Sequence, residues 1–211
     1  MADEEVVKFT VDLSSRQEKA GEIEAQFING FNPFGNLKVT LVNVSYFPFE
    51  DAVCLHYKYA MENFYQFWSR EGRDAFVKAL EEYNKDFQEQ NLVRNKANAT
   101  KNRYGSVEGY LTWQQYKISV MAKANMNVMF GYVFKEKAPF FTVTQGEALY
   151  KDRSREKEKN KKLGEIPMYL TRAQAEELAA LFDRQYLRSL VPDIPDVEPR
   201  MPSVEIDYDS Y

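Results

Sequence analysis

Cys54 and His56 are the only thiol and the only imidazole in the chain, and they stand two residues apart in Cys54-Leu55-His56. On a strand that spacing puts both side chains on one face, about 7 Å apart. A Ser-His-Asp or Cys-His-Asn constellation would need His56 itself, and the pair reads equally as two neighbours on a half-buried strand. One thiol and one imidazole are too few for most zinc geometries. No loop has calcium-ligand spacing, and the nine glycines form no phosphate-cradling loop. These residue types predict no catalytic centre, no metal and no cofactor. Enzymes working by positioned carboxylates remain as a class, but nothing in the sequence recommends one.

The other chemistry available is charge. Residues 92–104 hold Arg94, Lys96, Lys101 and Arg103 with no acid, and residues 151–162 hold seven cations against three acids. Residues 190–211 hold six acids against Arg200 alone. The net charge of −4 is therefore a tail of −5 and a remainder of +1. Mobile Lys and Arg contact backbone phosphate without selecting bases, which is one reading of the two basic segments; solvated linkers are the other. The tail carries Pro192, Pro195, Pro199 and Pro202, so it is extended. It ends with acids alternating with apolar and aromatic residues, among them Ile206, Asp207, Tyr208, Asp209 and Tyr211. That pattern suits a partner-docking peptide, or a strand that competes for a basic groove on its own domain.

The elements that must position these groups are mainly strands. Aromatics make up 15% of the 211 residues, which opposes disorder. Segments 6–13, 22–29, 37–47 and 52–59 are rich in β-branched and aromatic residues, and in the fourth Val53, Leu55, Tyr57 and Tyr59 alternate with Cys54, His56 and Lys58. Ser69 then caps a helix whose Phe76, Leu80, Tyr83 and Phe87 recur at helical period. Segments 107–113, 116–122, 127–135 and 140–147 read as four more strands. Thr171-Arg172-Ala173-Gln174 is a capping box that opens a second helix. An offset of 102 aligns Ser69-Arg70 with Thr171-Arg172, Asp74 with Glu176 and Phe76 with Leu178, which suggests an internal repeat.

The expected fold is α+β: duplicated ββββα units whose antiparallel sheets pack against two amphipathic helices. Residues 1–91 form the first repeat, 92–104 a basic linker, 105–190 the second repeat with a charged insertion at 151–165, and 191–211 the acidic tail. No signal peptide is visible, so a cytoplasmic address is the default expectation.

This order, with the strand-to-helix junction Met168-Tyr169-Leu170-Thr171-Arg172-Ala173-Gln174-Ala175, resembles the PUR-repeat and Whirly-type single-stranded nucleic-acid-binding proteins. No Whirly-type Lys-Gly-rich strand motif accompanies it. The resemblance implies a single strand lying across a sheet face, with bases on Tyr110, Trp113, Tyr116 and Tyr132. Phosphates would follow Lys38, Lys58, Lys117, Lys123 and Lys135 together with the basic loop. The expected function is non-enzymatic binding of single-stranded DNA or RNA by a homo-oligomer, with a protein partner for the tail and no membrane contact. The alternative is a structural or assembly protein, such as a viral or scaffold subunit, whose sheet faces and tail contact other chains.

Overall fold

A computed structural model describes residues 9–28, 36–94, 101–114, 121–152 and 159–194. Four strands come first: β1 (Glu18–Ile28), β2 (Leu37–Phe47), β3 (Ala52–Tyr59) and β4 (Glu62–Trp68). Helix α1 (Arg70–Gln88) follows. Then come β5 (Gly105–Gln114), β6 (Met121–Lys135), β7 (Ala138–Gln145), β8 (Ala148–Asp152), β9 (Lys159–Leu163) and β10 (Ile166–Leu170), and finally α2 (Arg172–Leu181) and α3 (Arg184–Ser189). Eight strands close into one antiparallel barrel in the order β1-β10-β7-β6-β5-β4-β3-β2, while β8 and β9 pair only with each other.

This overturns the expectation of duplicated ββββα units on two sheets. The two presumed repeats are stitched together on both sides of the ring. Across α1, β4 pairs with β5 from Asn63↔Gln114 to Phe67↔Tyr110, and the ring shuts where β1 meets β10 at Gln26↔Tyr169 and Phe27↔Met168. Closure removes the free edges that two separate half-sheets would have exposed. The similarity at offset 102 falls on the starts of the two capped helices.

Alternation along the strands gives the barrel its inside. Val53, Leu55 and Tyr57 of β3, Phe64 and Trp68 of β4, Leu111 and Trp113 of β5, and the even-numbered positions of β6 all join one buried cluster. The outer face of β2 to β5 carries a second cluster of Phe47, Ala52, Cys54, Phe67 and Tyr110. Over it lies the segment expected as a first strand. Residues 9–13 are not strand; instead Val11 packs on that outer cluster, and the Asn125 side chain of β6 donates to the Phe9 carbonyl at 3.2 Å.

The helices stopper one end. Ser69 accepts from the Gly72 N–H at the start of α1, and α2 opens with the full capping box of Thr171 and Gln174. Phe76 of α1 meets Trp68, Phe130, Phe141 and Phe182 at centroid distances of 5.2 to 6.0 Å, which fills the barrel at this end with rings. Beside them the β2–β3 turn drives Asp51 inward at φ +46°, a left-handed conformation that Asp tolerates better than most residues. Arg73 Nη2 donates to Asp51 Oδ1 at 2.7 Å and Arg73 Nη1 to the Asp51 carbonyl oxygen at 2.6 Å. Arg70 Nε donates to Oδ2 at 2.7 Å, and the Tyr46 hydroxyl to Oδ1 at 3.1 Å. Burial alone would push the Asp51 carboxyl up, but the two guanidiniums outweigh it and hold the group below the usual carboxylate range. The same burial, with the Asp51 charge beside it, pushes the Tyr46 phenol up to about 12.

At the other end the β7–β10 ladder breaks after Ile166↔Gln145 and resumes at Ala148↔Leu163 as the two-stranded ribbon β8–β9. Gly146 makes the break possible: its N–H donates to the Asn127 carbonyl at 2.7 Å, and a Cβ there would lie 2.7 Å from that same oxygen. The segment read as a charged insertion is thus partly strand. Among the described residues no helix is long and apolar enough to cross a membrane.

Candidate nucleic-acid interface and the barrel interior

The residues expected to hold a nucleic acid separate into three groups. Lys38 is the second residue of β2, Lys58 lies one residue from the end of β3, and Lys123 lies near the start of β6, opposite Thr112. All three are exposed. Strand direction puts them at the ribbon end: α1 follows β4 and α2 follows β10 at the stoppered end, so the start of β2, the end of β3 and the start of β6 all lie opposite the helices. The ribbon that rises from this end has Lys151, Lys159, Lys161 and Lys162 in its strands, and Lys162 pairs with Glu147 at 2.5 Å.

The second group already has partners in the fold. Lys101 Nζ lies 2.6 Å from Glu165 Oε1, and Arg103 Nη2 lies 3.2 Å from Asp86 Oδ2. The Arg94 guanidinium lies over the Phe134 ring, and the Lys135 ammonium over the Tyr169 ring, at 5.4 and 5.0 Å from the centroids. These cations brace segments of backbone, each contact contributing roughly 0–1 kcal/mol where exposed.

Burial defines the third group. Trp113 and Tyr132 face the barrel interior at 1% and 2% exposure, and Tyr110, at 6%, lies in the cluster beneath the N-terminal segment. The Tyr132 hydroxyl exchanges hydrogen bonds with the Val93 backbone, donating to its carbonyl at 3.3 Å and accepting from its N–H at 3.2 Å. These three rings build core rather than a stacking platform on an open face. Lys96, Tyr116, Lys117 and the tail residues Ile206, Asp207, Tyr208, Asp209 and Tyr211 lie outside the described residues.

The thiol and the imidazole differ in their surroundings. Cys54 is buried, and burial pushes its thiol up, so it stays protonated. His56 stacks on Tyr65 with ring centroids 4.4 Å apart and planes 4° apart. Among the described residues no group of three or more His, Cys, Asp or Glu is placed to hold a metal ion.

The interior holds a feature that the sequence reading misses. Gln66 and Gln145 occupy inward positions on β4 and β7, in line with Phe64 and Trp68 on one strand and Phe141 and Val143 on the other. Each is 1% exposed. The Tyr57 hydroxyl donates to Gln145 Oε1 at 3.2 Å, and since β3 and β7 are four places apart in the eight-strand ring, that bond spans the lumen. Gln66 stands diagonally beside Tyr57, because Leu55↔Gln66 and Tyr57↔Phe64 are successive inward pairs. Both amide nitrogens, Gln66 Nε2 and Gln145 Nε2, are buried without a hydrogen-bond partner. One signal in the sequence marks them: a glutamine at a core position of an otherwise apolar alternation.

No curated protein and no solved structure matches the chain, and nothing found links it to PUR-repeat or Whirly proteins. A family described as "Uncharacterised Treponema protein" matches residues 10–189, a span that runs from the N-terminal segment on the outer cluster to the end of α3. The chain belongs to that Treponema family.

Proposed function

We propose that the chain is a non-enzymatic nucleic-acid-binding protein that holds backbone phosphate at the ribbon end of its barrel. The observation that carries this reading is that exposed Lys38, Lys58 and Lys123, from three different strands, lie at the same end of the barrel as a lysine-bearing ribbon. Phosphate contact, rather than stacking on Tyr110, Trp113 or Tyr132, supplies the affinity, so binding is salt-dependent and tolerant of sequence. The acidic tail is the internal competitor of this end, or its handle for a protein partner. An assembly role by strand addition is disfavoured, because a two-stranded ribbon rich in lysine blunts edge-to-edge pairing.

The test is fluorescence anisotropy with a labelled single-stranded 20-mer and its duplex. With about four phosphates neutralised, affinity falls roughly 50-fold between 50 and 200 mM salt. Removing residues 195–211 tightens binding. No binding at low salt, or binding indifferent to salt, overturns the proposal.

A further inference from the structure

The outside of the barrel carries apolar side chains where a solvated wall would carry polar ones. Cys54, Phe67 and Tyr110 form one lateral row on outward positions of β3, β4 and β5, with Phe47 and Ala52 beside it at the β2–β3 turn. All five are 6% exposed or less, and Val11 and Phe9 pack on them. Left bare, such a patch would be an interaction surface; here the structure shows what sits on it. Residues 9–12 are not strand, so side chains rather than a ladder hold them. Val11 is buried in the cluster, and Asn125, next in the row after Tyr110, donates from Nδ2 to the Phe9 carbonyl at 3.2 Å. Asp12 then turns the chain by accepting from the Ser14 N–H at 2.9 Å and the Ser14 hydroxyl at 2.7 Å. Such a seat reads apolar side chains at i and i+2 and one carbonyl, followed by an aspartate at a turn.

The chain holds a second segment with that pattern. Phe9-Thr10-Val11-Asp12-Leu13 and Val204-Glu205-Ile206-Asp207-Tyr208 share the order apolar, polar, β-branched, Asp, apolar. No other aspartate in the sequence follows a β-branched residue. The tail also leaves the fold beside the entry to this seat: Arg16 Nη1 pairs with Asp193 Oδ2 at 2.5 Å, and Ile194 is the last described residue. From Arg16 back to Val11 the chain spans at most about 18 Å, whereas residues 194–203 can span about 33 Å before Val204. The tail is therefore long enough to reach the outer cluster of its own barrel.

We propose that the outer face beneath residues 9–13 is a peptide-docking groove with two occupants in this chain: Phe9–Leu13, seated there in the structure, and Val204–Tyr208, which takes the groove when the first is displaced. The shorter tether gives Phe9–Leu13 the higher effective concentration, so it holds the groove while both segments are intact. With Phe9–Leu13 seated, the tail is left to the lysine rim or to a protein partner. The groove lies on the helix-side half of the wall, where β2 ends and β3 begins, so loss of the phosphate reading would leave it standing.

Cys54, 3% exposed on the groove floor and the chain's one thiol, reports on the cover. Its rate of labelling by a maleimide is compared in the full-length wild-type chain, Ile206→Asp, Val11→Asp and Val11→Asp/Ile206→Asp. Ile206→Asp is expected to match the wild type, and Val11→Asp to stay within about threefold of it, because the tail then fills the groove. The double variant should react at least roughly tenfold faster than Val11→Asp. Equal rates in Val11→Asp and the double variant overturn the proposal, whether both are slow or both are fast. Val11→Ala replaces Val11→Asp if the aspartate variant does not fold. A labelled peptide of residues 203–211 gives a second readout on the double variant: it should bind, and a peptide of residues 7–15 should displace it. A short tether supplies roughly millimolar effective concentration, so absence of peptide binding up to about 1 mM also overturns the proposal.

Discussion

At the helix-bearing end of the barrel, Arg70 and Arg73 both bond to Asp51 beside the packed rings around Phe76; at the ribbon end, Lys38, Lys58 and Lys123 stand in solvent. Both ends are rich in cations, yet the cations do opposite work. Arg73 is 3% exposed and wholly committed to one carboxylate and one carbonyl. A buried charge with partners fixes geometry, whereas an exposed charge remains available to a ligand. Cationic residues therefore indicate a binding face only once their burial is known.

The largest expected effect comes from breaking the buried cluster. Arg73→Met leaves the Asp51 carboxylate without its main partner and should cost about 3–5 kcal/mol in urea unfolding. The pH dependence has a definite sign. Because the folded state holds Asp51 below its unfolded value, its contribution is present above the unfolded pKa and is lost as pH falls through the folded one. Asp51→Asn should thus flatten the acid limb of the stability curve below about pH 4. An unaltered acid limb would remove Asp51 from the account.

A smaller effect is expected at the break between barrel and ribbon. Gly146→Ala forces a Cβ against the Asn127 carbonyl and should cost about 1–3 kcal/mol, visible as a lower midpoint in thermal unfolding. In the middle of the barrel, Gln66→Leu/Gln145→Leu should leave stability unchanged or raise it by up to about 1 kcal/mol, since it removes two unsatisfied donors. The smallest change in stability belongs to the rim. Lys38→Glu/Lys58→Glu/Lys123→Glu should move unfolding by less than about 0.5 kcal/mol per site while abolishing oligonucleotide binding at 50 mM salt. Equal losses of stability at both ends would erase the contrast.

Much of the secondary structure is legible in the sequence, and the reasons for the exceptions are specific. The spans of β2 and β3 and both capped helices follow from alternation and from Ser69 and Thr171. Strand β4 escapes because its hairpin turns on Ala60-Met61, both at positive φ (48° and 69°), where a turn of this kind normally carries Asn or Gly. The ribbon escapes because lysine-rich strands resemble linkers. The closed ring lies beyond local pattern altogether: alternation tells which residues share a face, not whether the last strand returns to the first. The same limit applied to the rim. Lys38 and Lys123, 85 positions apart, reach one end only through the ring, and nothing near Trp113 reveals that its face points inward.

Ring closure also dictates when the protein is finished. The seam joins Gln26 to Tyr169, so β1 emerges early from the ribosome and waits for nearly the whole chain before its second neighbour exists. Until β10 arrives, β1 and β7 each offer an unpaired edge to any strand nearby. Folding is accordingly expected to be slow for a domain of this size, with a closing step that loop entropy delays. The glutamates of β1, Glu18, Glu22 and Glu24, guard that edge with charge while it waits.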